Sequence, residues 1–79
     1  MHYVYIIQSI PFPERFYTGR TRDIDRRLKE HNRHEHEFTS RYKPWNLKTY
    51  VAFSSKQQAI EFERYLKTPS GRAFAKKRL

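Results

Sequence analysis

Residues 3–7 read Tyr3-Val4-Tyr5-Ile6-Ile7, and every one of them is β-branched or aromatic. Successive side chains of a strand point to opposite faces, so this run offers an apolar surface on both sides. Such a pattern is typical of a central strand that is covered on both faces. The run therefore predicts the middle of a sheet, around which the rest of the chain is arranged.

Two further strands are predicted from the residues that follow this run. Pro11 and Pro13 lie in the connection and cannot join a strand ladder, so we expect an irregular loop there. Residues 15–19 then predict a short second strand that ends at Gly19. The third strand is predicted from an alternation in which Leu47, Thr49, Val51 and Phe53 occupy one face and Lys48, Tyr50 and Ala52 the other.

Helices are predicted from capping residues and from apolar spacing. Asp23 is suited to cap a helix that runs to about Asn32. Ser55 begins a second helix, because Gln58 follows three residues later as in a capping box. The run 68–71, Thr-Pro-Ser-Gly, is expected to end that helix, and a short basic helix is expected over 72–79. The polar segment 33–44 is interpreted as a loop.

The predicted order of elements is therefore β-β-α-β-α-α. This order favours an α/β (α+β) fold with a small, mostly antiparallel, three-stranded sheet flanked by helices. A chain of 79 residues has room for one core, so we expect a single domain over residues 1–79.

Charge indicates the kind of partner. Seventeen Lys and Arg residues against eight Asp and Glu residues give a formal net charge of +9. A compact domain with this surplus is suited to bind a polyanion, either a nucleic acid or an anionic membrane. No helix combines a wide apolar face with a basic rim, so a membrane is the weaker alternative. The absence of cysteine and of a secretory leader favours the cytoplasm.

One group of side chains around the second strand suits phosphate chemistry. Arg27 and His31 are four residues apart on the predicted first helix and share a face that starts close to Tyr17. Together with Arg20, they are expected to converge on a single pocket. Guanidinium groups match phosphate oxygens and stabilise charge that develops during transfer, so this pocket predicts a phosphodiester substrate.

Glu63 is the candidate metal ligand. It is predicted to lie on the inward face of the second helix with Ala59 and Leu66, and hard divalent ions are held by carboxylate oxygens. The alternative is a simple ion pair with Lys67, one turn further on. His34 and His36 lie in a polar loop with spacing poorly suited to structural zinc, so they are interpreted as solvated.

These motifs resemble the GIY-YIG nuclease superfamily, and specifically its small stand-alone bacterial members. Tyr3-Val4-Tyr5 matches the first motif and Tyr17-Thr18-Gly19 the second, although the first lacks Gly and Ile and the second has Thr18 for Ile. Further along the chain, the resemblance continues in Arg27, in His31, in the run Ala59-Ile60-Glu61-Phe62-Glu63 and in residues 66–77.

The resemblance implies a nuclease that uses Mg²⁺ or Mn²⁺, with a nucleic acid, most naturally DNA, as its substrate. Its catalytic residues would be Tyr5, Tyr17, Arg27 and His31, and Glu63 would bind the metal. Basic residues near the site and along the C-terminal segment are expected to contact nucleic acid: Arg20, Lys67, Arg72, Lys76 and Lys77.

Two hypotheses on function follow. The first is a metal-dependent endonuclease that hydrolyses DNA phosphodiester bonds, with repair or recombination as a candidate setting. Water would attack in line on phosphorus, with Tyr17, helped by Tyr5, as the group that orients or deprotonates it. A phenol titrates near pH ~10, so this role requires nearby arginines to lower its pKa, or His31 to act as the base. The alternative is a non-catalytic nucleic-acid-binding module with the same fold.

Overall fold

The computed structural model describes residues 1–33 and 37–79, and its sheet has the predicted central strand. The strands are β1 (His2–Ser9), β2 (Phe16–Thr21) and β3 (Trp45–Phe53), and the helices are α1 (Ile24–His31), α2 (Glu37–Arg41), α3 (Lys56–Leu66) and α4 (Pro69–Arg78). The strand order is β2-β1-β3, and both pairings are antiparallel. The predicted α/β (α+β) class and the three-stranded sheet are therefore confirmed.

The two faces of β1 pack against two separate parts of the core, as the sequence of residues 3–7 predicts. On one face Val4 and Ile6 pack with Ala59 and Leu66 of α3. On the other face Tyr5 and Ile7 pack with Trp45 and with a second set of partly buried side chains: Tyr17, Ile24, Leu28, Tyr42 and Leu47. Helices α3 and α4 thus lie on one side of the sheet, and α1 lies on the other.

The capping signals that predicted two of the helix starts are present in the structure. The side chain of Asp23 accepts a hydrogen bond from the backbone N–H of Arg26 at the start of α1. The Ser55 hydroxyl accepts one from the backbone N–H of Gln58 at the start of α3. These bonds satisfy N–H groups that have no partner within the helix.

The predicted loop over residues 33–44 is wrong in its second half, because α2 lies there. Its anchor is Thr39, whose carbonyl accepts a hydrogen bond of 2.7 Å from the indole N–H of Trp45. A five-residue helix held by tertiary contacts has too little apolar periodicity to be predicted from sequence. Residues 34–36, with the predicted solvated histidines His34 and His36, lie outside the described part of the chain.

Two predicted boundaries also differ from the structure. Strand β2 continues past Gly19 to Thr21, because Arg20 and Thr21 still pair with Val4 and Tyr3 of β1. Helix α4 begins at Pro69 rather than at residue 72. Its start is set by Thr68, whose side chain accepts from the backbone N–H of Gly71, and proline is well tolerated in the first helical turn.

Candidate active site

Four of the predicted catalytic side chains meet on the face of the sheet that α1 covers. The Tyr5 hydroxyl lies 2.8 Å from Nε2 of His31, and Arg27 donates to the same hydroxyl from Nε at 3.4 Å. The ring of Tyr17 lies 4.9 Å from the ring of His31, measured between centroids. Strands β1 and β2 supply the two phenols and α1 supplies Arg27 and His31. The predicted convergence is thus present for Tyr17, Arg27 and His31, with Tyr5 at its centre, and we call these four residues the tyrosine cluster.

Gly19 makes room for this cluster. It faces Tyr5 across the β1–β2 ladder and lies between the two tyrosines on the same face of the sheet. A Cβ atom at this position would lie 2.5 Å from the Tyr5 hydroxyl oxygen and 3.1 Å from Cε2 of Tyr17. Glycine is required here by the close approach of the Tyr5 ring, since the backbone does not turn at this residue.

Replacing Gly19 by alanine should therefore destabilise the protein. The added methyl group has to displace the Tyr5 ring, and overpacking of this kind costs about 1–3 kcal/mol. Urea unfolding measures the change, and Thr18→Ala serves as a control in the same strand with its side chain on the opposite face. Equal midpoints for Gly19→Ala and wild type would contradict this account of the glycine.

Tyr5 is a hydrogen-bonding group and is unsuited to act as a base. Burial is the largest influence on its phenol and raises its pKa to about 12, although the bond from Arg27 acts in the opposite direction. Arg27 acts to lower the pKa of Tyr5 but is outweighed by burial, so the condition under which this phenol could serve as a base is not met. Its proton has one acceptor among the described residues, Nε2 of His31, since arginine has only donors.

His31 is fully buried and is held at both ring nitrogens. Nε2 accepts from Tyr5, and Nδ1 lies 3.0 Å from the hydroxyl of Thr39. A histidine that accepts at Nε2 carries its proton at Nδ1 when neutral, so Nδ1 donates to Thr39 in this arrangement. Thr39 could not be predicted from the sequence, because its contact with His31 depends on where α2 packs.

Arg27 is fixed from two directions. Its Nη1 atom donates to Oε1 of Glu30 at 2.9 Å, and its Nε atom donates to Tyr5. Burial opposes the charge, but these two hydrogen bonds outweigh burial and raise the pKa of Arg27. The bond from Arg27 likewise lowers the pKa of Glu30. The side chain stays 30% exposed, and no described residue accepts a hydrogen bond from Nη2, so this edge is available to a phosphate.

Tyr17 is the phenol of the cluster that faces solvent. Tyr5 is buried, whereas Tyr17 is half-buried and lines a groove of about 1040 Å³. Its hydroxyl makes no hydrogen bond with any residue in the described ranges. The Tyr17 hydroxyl is thus placed to bind a water molecule or a substrate oxygen, while the other three side chains fix its surroundings.

Arg20 does not join the tyrosine cluster, which corrects the sequence-based expectation. It pairs with Val4 across the ladder, one position on from Gly19 and Tyr5, so its side chain leaves from the opposite face of β2. There its Nε atom lies 3.4 Å from Oε1 of Glu63 on α3. The correction follows from β2 continuing past Gly19, because the pleat then continues through Arg20.

Glu63 carries two ion pairs, of which the sequence indicated one. Its Oε2 atom accepts a hydrogen bond of 2.9 Å from Nζ of Lys67, and its Oε1 atom faces Arg20. The carboxylate is 22% exposed and contributes to the electrostatic field at Tyr5, on the other side of β1. The sheet therefore lies between the tyrosine cluster on one face and the Glu63 carboxylate on the other.

Glu63 supplies only part of the coordination shell that a hard divalent ion requires. Among residues 1–33 and 37–79, no three His, Asp or Glu side chains are grouped so that they could hold a metal. Mg²⁺ is usually bound by one or two carboxylates, with water and substrate phosphates completing its shell. Glu63 satisfies this minimal requirement, and it would be the protein's ligand for Mg²⁺ or Mn²⁺.

The predicted nucleic-acid contacts divide between the groove and the outer surface. Lys67, Arg72 and Lys76 line the groove together with Tyr17, whereas Lys77 is exposed on α4 outside it. The groove is also lined by Phe16, Phe38 and Lys48, which could not be predicted because these residues come together only through the fold. The groove is thus basic along α4 and aromatic next to Tyr17.

Comparison with known proteins identifies the family. A family model described as the GIY-YIG catalytic domain matches residues 1–78. The chain belongs to the GIY-YIG family. The resemblance predicted from Tyr3-Val4-Tyr5, Tyr17-Thr18-Gly19 and Glu63 is thereby confirmed.

Relatives of this GIY-YIG domain fall into two groups. A UPF0213 protein of Halobacterium salinarum is 35% identical over 68 residues, which are 85% of this chain and 86% of that protein. The structure-specific endonuclease subunit SLX1 of Debaryomyces hansenii is 36% identical over 73 residues. That match covers 84% of this chain and 21% of SLX1, so the domain spans about a fifth of that relative.

A solved structure has the same fold as this GIY-YIG domain. The solution NMR structure of a UPF0213 protein from Bacillus halodurans superposes with a TM-score of 0.58 at 32% sequence identity. The match covers 96% of this chain and 82% of that chain. The family and the SLX1 relatives together support a nuclease. No helix in the described part of the chain is long and apolar enough to span a membrane.

Proposed function

We propose that this domain is an endonuclease that hydrolyses phosphodiester bonds of DNA with the help of Mg²⁺ or Mn²⁺. The observation that carries the proposal is the tyrosine cluster, in which Tyr17 faces a basic groove and the Nη2 edge of Arg27 has no acceptor among the described residues. Catalysis of phosphoryl transfer depends chiefly on positioning and on stabilisation of charge, and these side chains supply both. The SLX1 relatives, named as structure-specific endonuclease subunits, support an endonuclease, and DNA as its substrate is part of the proposal.

The roles of the residues follow from their contacts. Tyr17 binds the attacking water or a phosphate oxygen through its solvent-facing hydroxyl. The Nη2 edge of Arg27 stabilises the charge that develops on the phosphate, while Tyr5 and Glu30 hold the guanidinium in place. His31 accepts a hydrogen bond from the Tyr5 hydroxyl and so fixes the orientation of that phenol. A divalent ion bound at Glu63 would polarise the phosphate and lower the pKa of bound water.

The groove is proposed to hold the nucleic-acid backbone. Lys67, Arg72 and Lys76 line it, and they lie on the side of the sheet that α4 covers. Arg20 and Lys77 are exposed basic residues that do not line the groove, and they are proposed as further contacts to the nucleic acid. The proposed location in the cytoplasm stays a prediction from the sequence.

A nicking assay separates the endonuclease from the non-catalytic binding module. Supercoiled plasmid and a branched duplex are incubated with the protein and Mg²⁺ or Mn²⁺. The endonuclease converts plasmid into open circles or cuts the branched substrate. A protein that binds both molecules in a shift assay and leaves every strand intact is the binding module, and the proposal then fails.

Binding to DNA should depend strongly on salt, because the chain carries a net charge of +9. Each neutralised phosphate lowers log K by ~0.9 for every unit of log salt, as counterions are released. Fluorescence anisotropy with a labelled duplex at several salt concentrations measures this slope.

Lys76 and its neighbour Lys77 provide a matched pair for the same measurement. Lys76 lines the groove and Lys77 does not, so Lys76→Ala should reduce the slope by about 1 and Lys77→Ala by less. A slope near zero for the wild-type protein would contradict any binding through the phosphate backbone.

A further inference from the structure

Both oxygens of the Glu63 carboxylate are occupied by cations of the protein itself. Arg20 contacts Oε1 at 3.4 Å and Lys67 contacts Oε2 at 2.9 Å. A divalent ion at this carboxylate would lie beside two positive charges, which oppose its binding. The free protein therefore holds its candidate metal ligand in a state that disfavours the metal.

Both cations are accessible from solvent: the Arg20 side chain is 33% exposed on edge strand β2, and Lys67 lies directly after α3. The Lys67 side chain is 53% exposed, against 22% for Glu63, so Lys67 can move away while the carboxylate stays in place. Lys67 also lines the groove beside Arg72 and Lys76. Exposed ion pairs are weak, so a phosphate oxygen competes effectively with Glu63 for the Lys67 ammonium group.

From this geometry we infer that Arg20 and Lys67 are positioning residues that hold the Glu63 carboxylate in the free protein and release it to a divalent ion when nucleic-acid phosphates bind them. The inference rests on the proposed function, in which Glu63 is the metal ligand. Its consequence is positive coupling: nucleic acid raises the affinity for metal, and metal raises the affinity for nucleic acid by the same factor. The free protein thus binds metal more weakly than the substrate-bound protein does.

The test is a Mn²⁺ titration followed by electron paramagnetic resonance of the free ion. It is run on the free protein and on its complex with a short DNA duplex, with the Glu63→Gln complex as the blank for ions bound by DNA. Readings are taken before strand cleavage proceeds, because cleavage converts a phosphodiester into a terminal phosphate monoester, which binds Mn²⁺ more strongly. Coupling between sites typically changes affinity by roughly 5- to 150-fold, and we expect tightening in this range for the wild type.

Lys67→Met separates this release from metal ligands that DNA itself contributes. It removes the cation from Oε2, so the free variant should bind Mn²⁺ several-fold tighter than the wild type, and added duplex should then tighten binding less. Lys76→Met is the matched control, since it removes one groove charge that makes no ion pair with Glu63. Arg20→Gln is the second variant, and the same direction of change is expected for the free protein.

Three outcomes decide the question. Tighter Mn²⁺ binding by free Lys67→Met and Arg20→Gln, with Lys76→Met close to wild type, supports the inference. Equal affinities in all of these free proteins overturn it, even where duplex tightens binding, because the coupling then comes from phosphate ligands alone. Wild-type Mn²⁺ binding by Glu63→Gln instead shows that Glu63 is not the ligand, and the proposed metal site fails together with the inference.

Discussion

Glu63→Gln should abolish DNA cleavage while DNA affinity stays equal or rises. The amide keeps the shape of the side chain but is a poor ligand for a hard divalent ion, so the proposed metal contact is lost. Removal of a negative charge near bound phosphates also reduces repulsion. Loss of one group that stabilises a transition state costs roughly 10²–10³-fold in rate, and loss of the ion should cost at least as much.

The measurement is the single-turnover rate of cleavage of supercoiled plasmid and of branched DNA at saturating Mg²⁺. Fluorescence anisotropy measures the affinity for DNA. Glu61→Gln is the matched control, because Glu61 lies on the same helix, is exposed, and makes no ion pair within the described ranges. The fold should survive Glu63→Gln, since half-exposed ion pairs such as that with Lys67 contribute only ~0–1 kcal/mol. Cleavage by Glu63→Gln at the rate of Glu61→Gln would show that Glu63 only forms ion pairs.

Tyr17→Phe and Tyr5→Phe should both reduce cleavage but should differ in stability. Phenylalanine at position 17 keeps the ring contact with His31 and removes a hydroxyl that has no partner among the described residues. We therefore expect cleavage to fall by roughly 10²–10³-fold with little change in unfolding. At position 5 the substitution removes the buried hydrogen bond of 2.8 Å between Tyr5 and His31, and the loss of one such bond costs about 0.5–1.5 kcal/mol.

Urea unfolding and single-turnover cleavage of the same samples test this contrast. Tyr65→Phe is the control, because Tyr65 is exposed on α3, on the opposite side of the sheet from the cluster, and its ring packs against Phe62 and Phe74. Wild-type cleavage by Tyr17→Phe would remove the phenol from the mechanism. Equal stability of Tyr5→Phe and wild type would contradict the hydrogen-bonded arrangement of Tyr5 with His31.

The central strand was predictable from sequence because its signal is local. The side chains of residues 3–7 alternate between the two faces of the strand, and those on each face are β-branched or aromatic. Such a run is best buried in the middle of a sheet that is covered on both faces. The caps at Asp23 and Ser55 are equally local, since their side chains bond backbone groups within three residues. The tyrosine cluster could be predicted only in part, from helical spacing and from family resemblance.

The features that were missed depend on contacts between distant segments. The Arg20 side chain was predicted on the wrong face of the sheet. Its face depends on whether β2 ends at Gly19 or continues, and this is decided by the pairing of β2 with β1. Thr39 gave no signal because α2 is held in place by Trp45, six residues further along. The raised pKa of Tyr5 depends first on burial, which outweighs the charge of Arg27.

The most direct test of metal-dependent cleavage is the rate at which the wild-type protein nicks supercoiled plasmid as Mg²⁺ or Mn²⁺ is titrated from excess EDTA to saturation. Cleavage should be absent in EDTA, should rise to a plateau with added ion, and should return when the chelated sample is supplied with fresh metal. A wild-type protein that cuts as fast in excess EDTA as at saturating metal would contradict the metal-dependent nuclease.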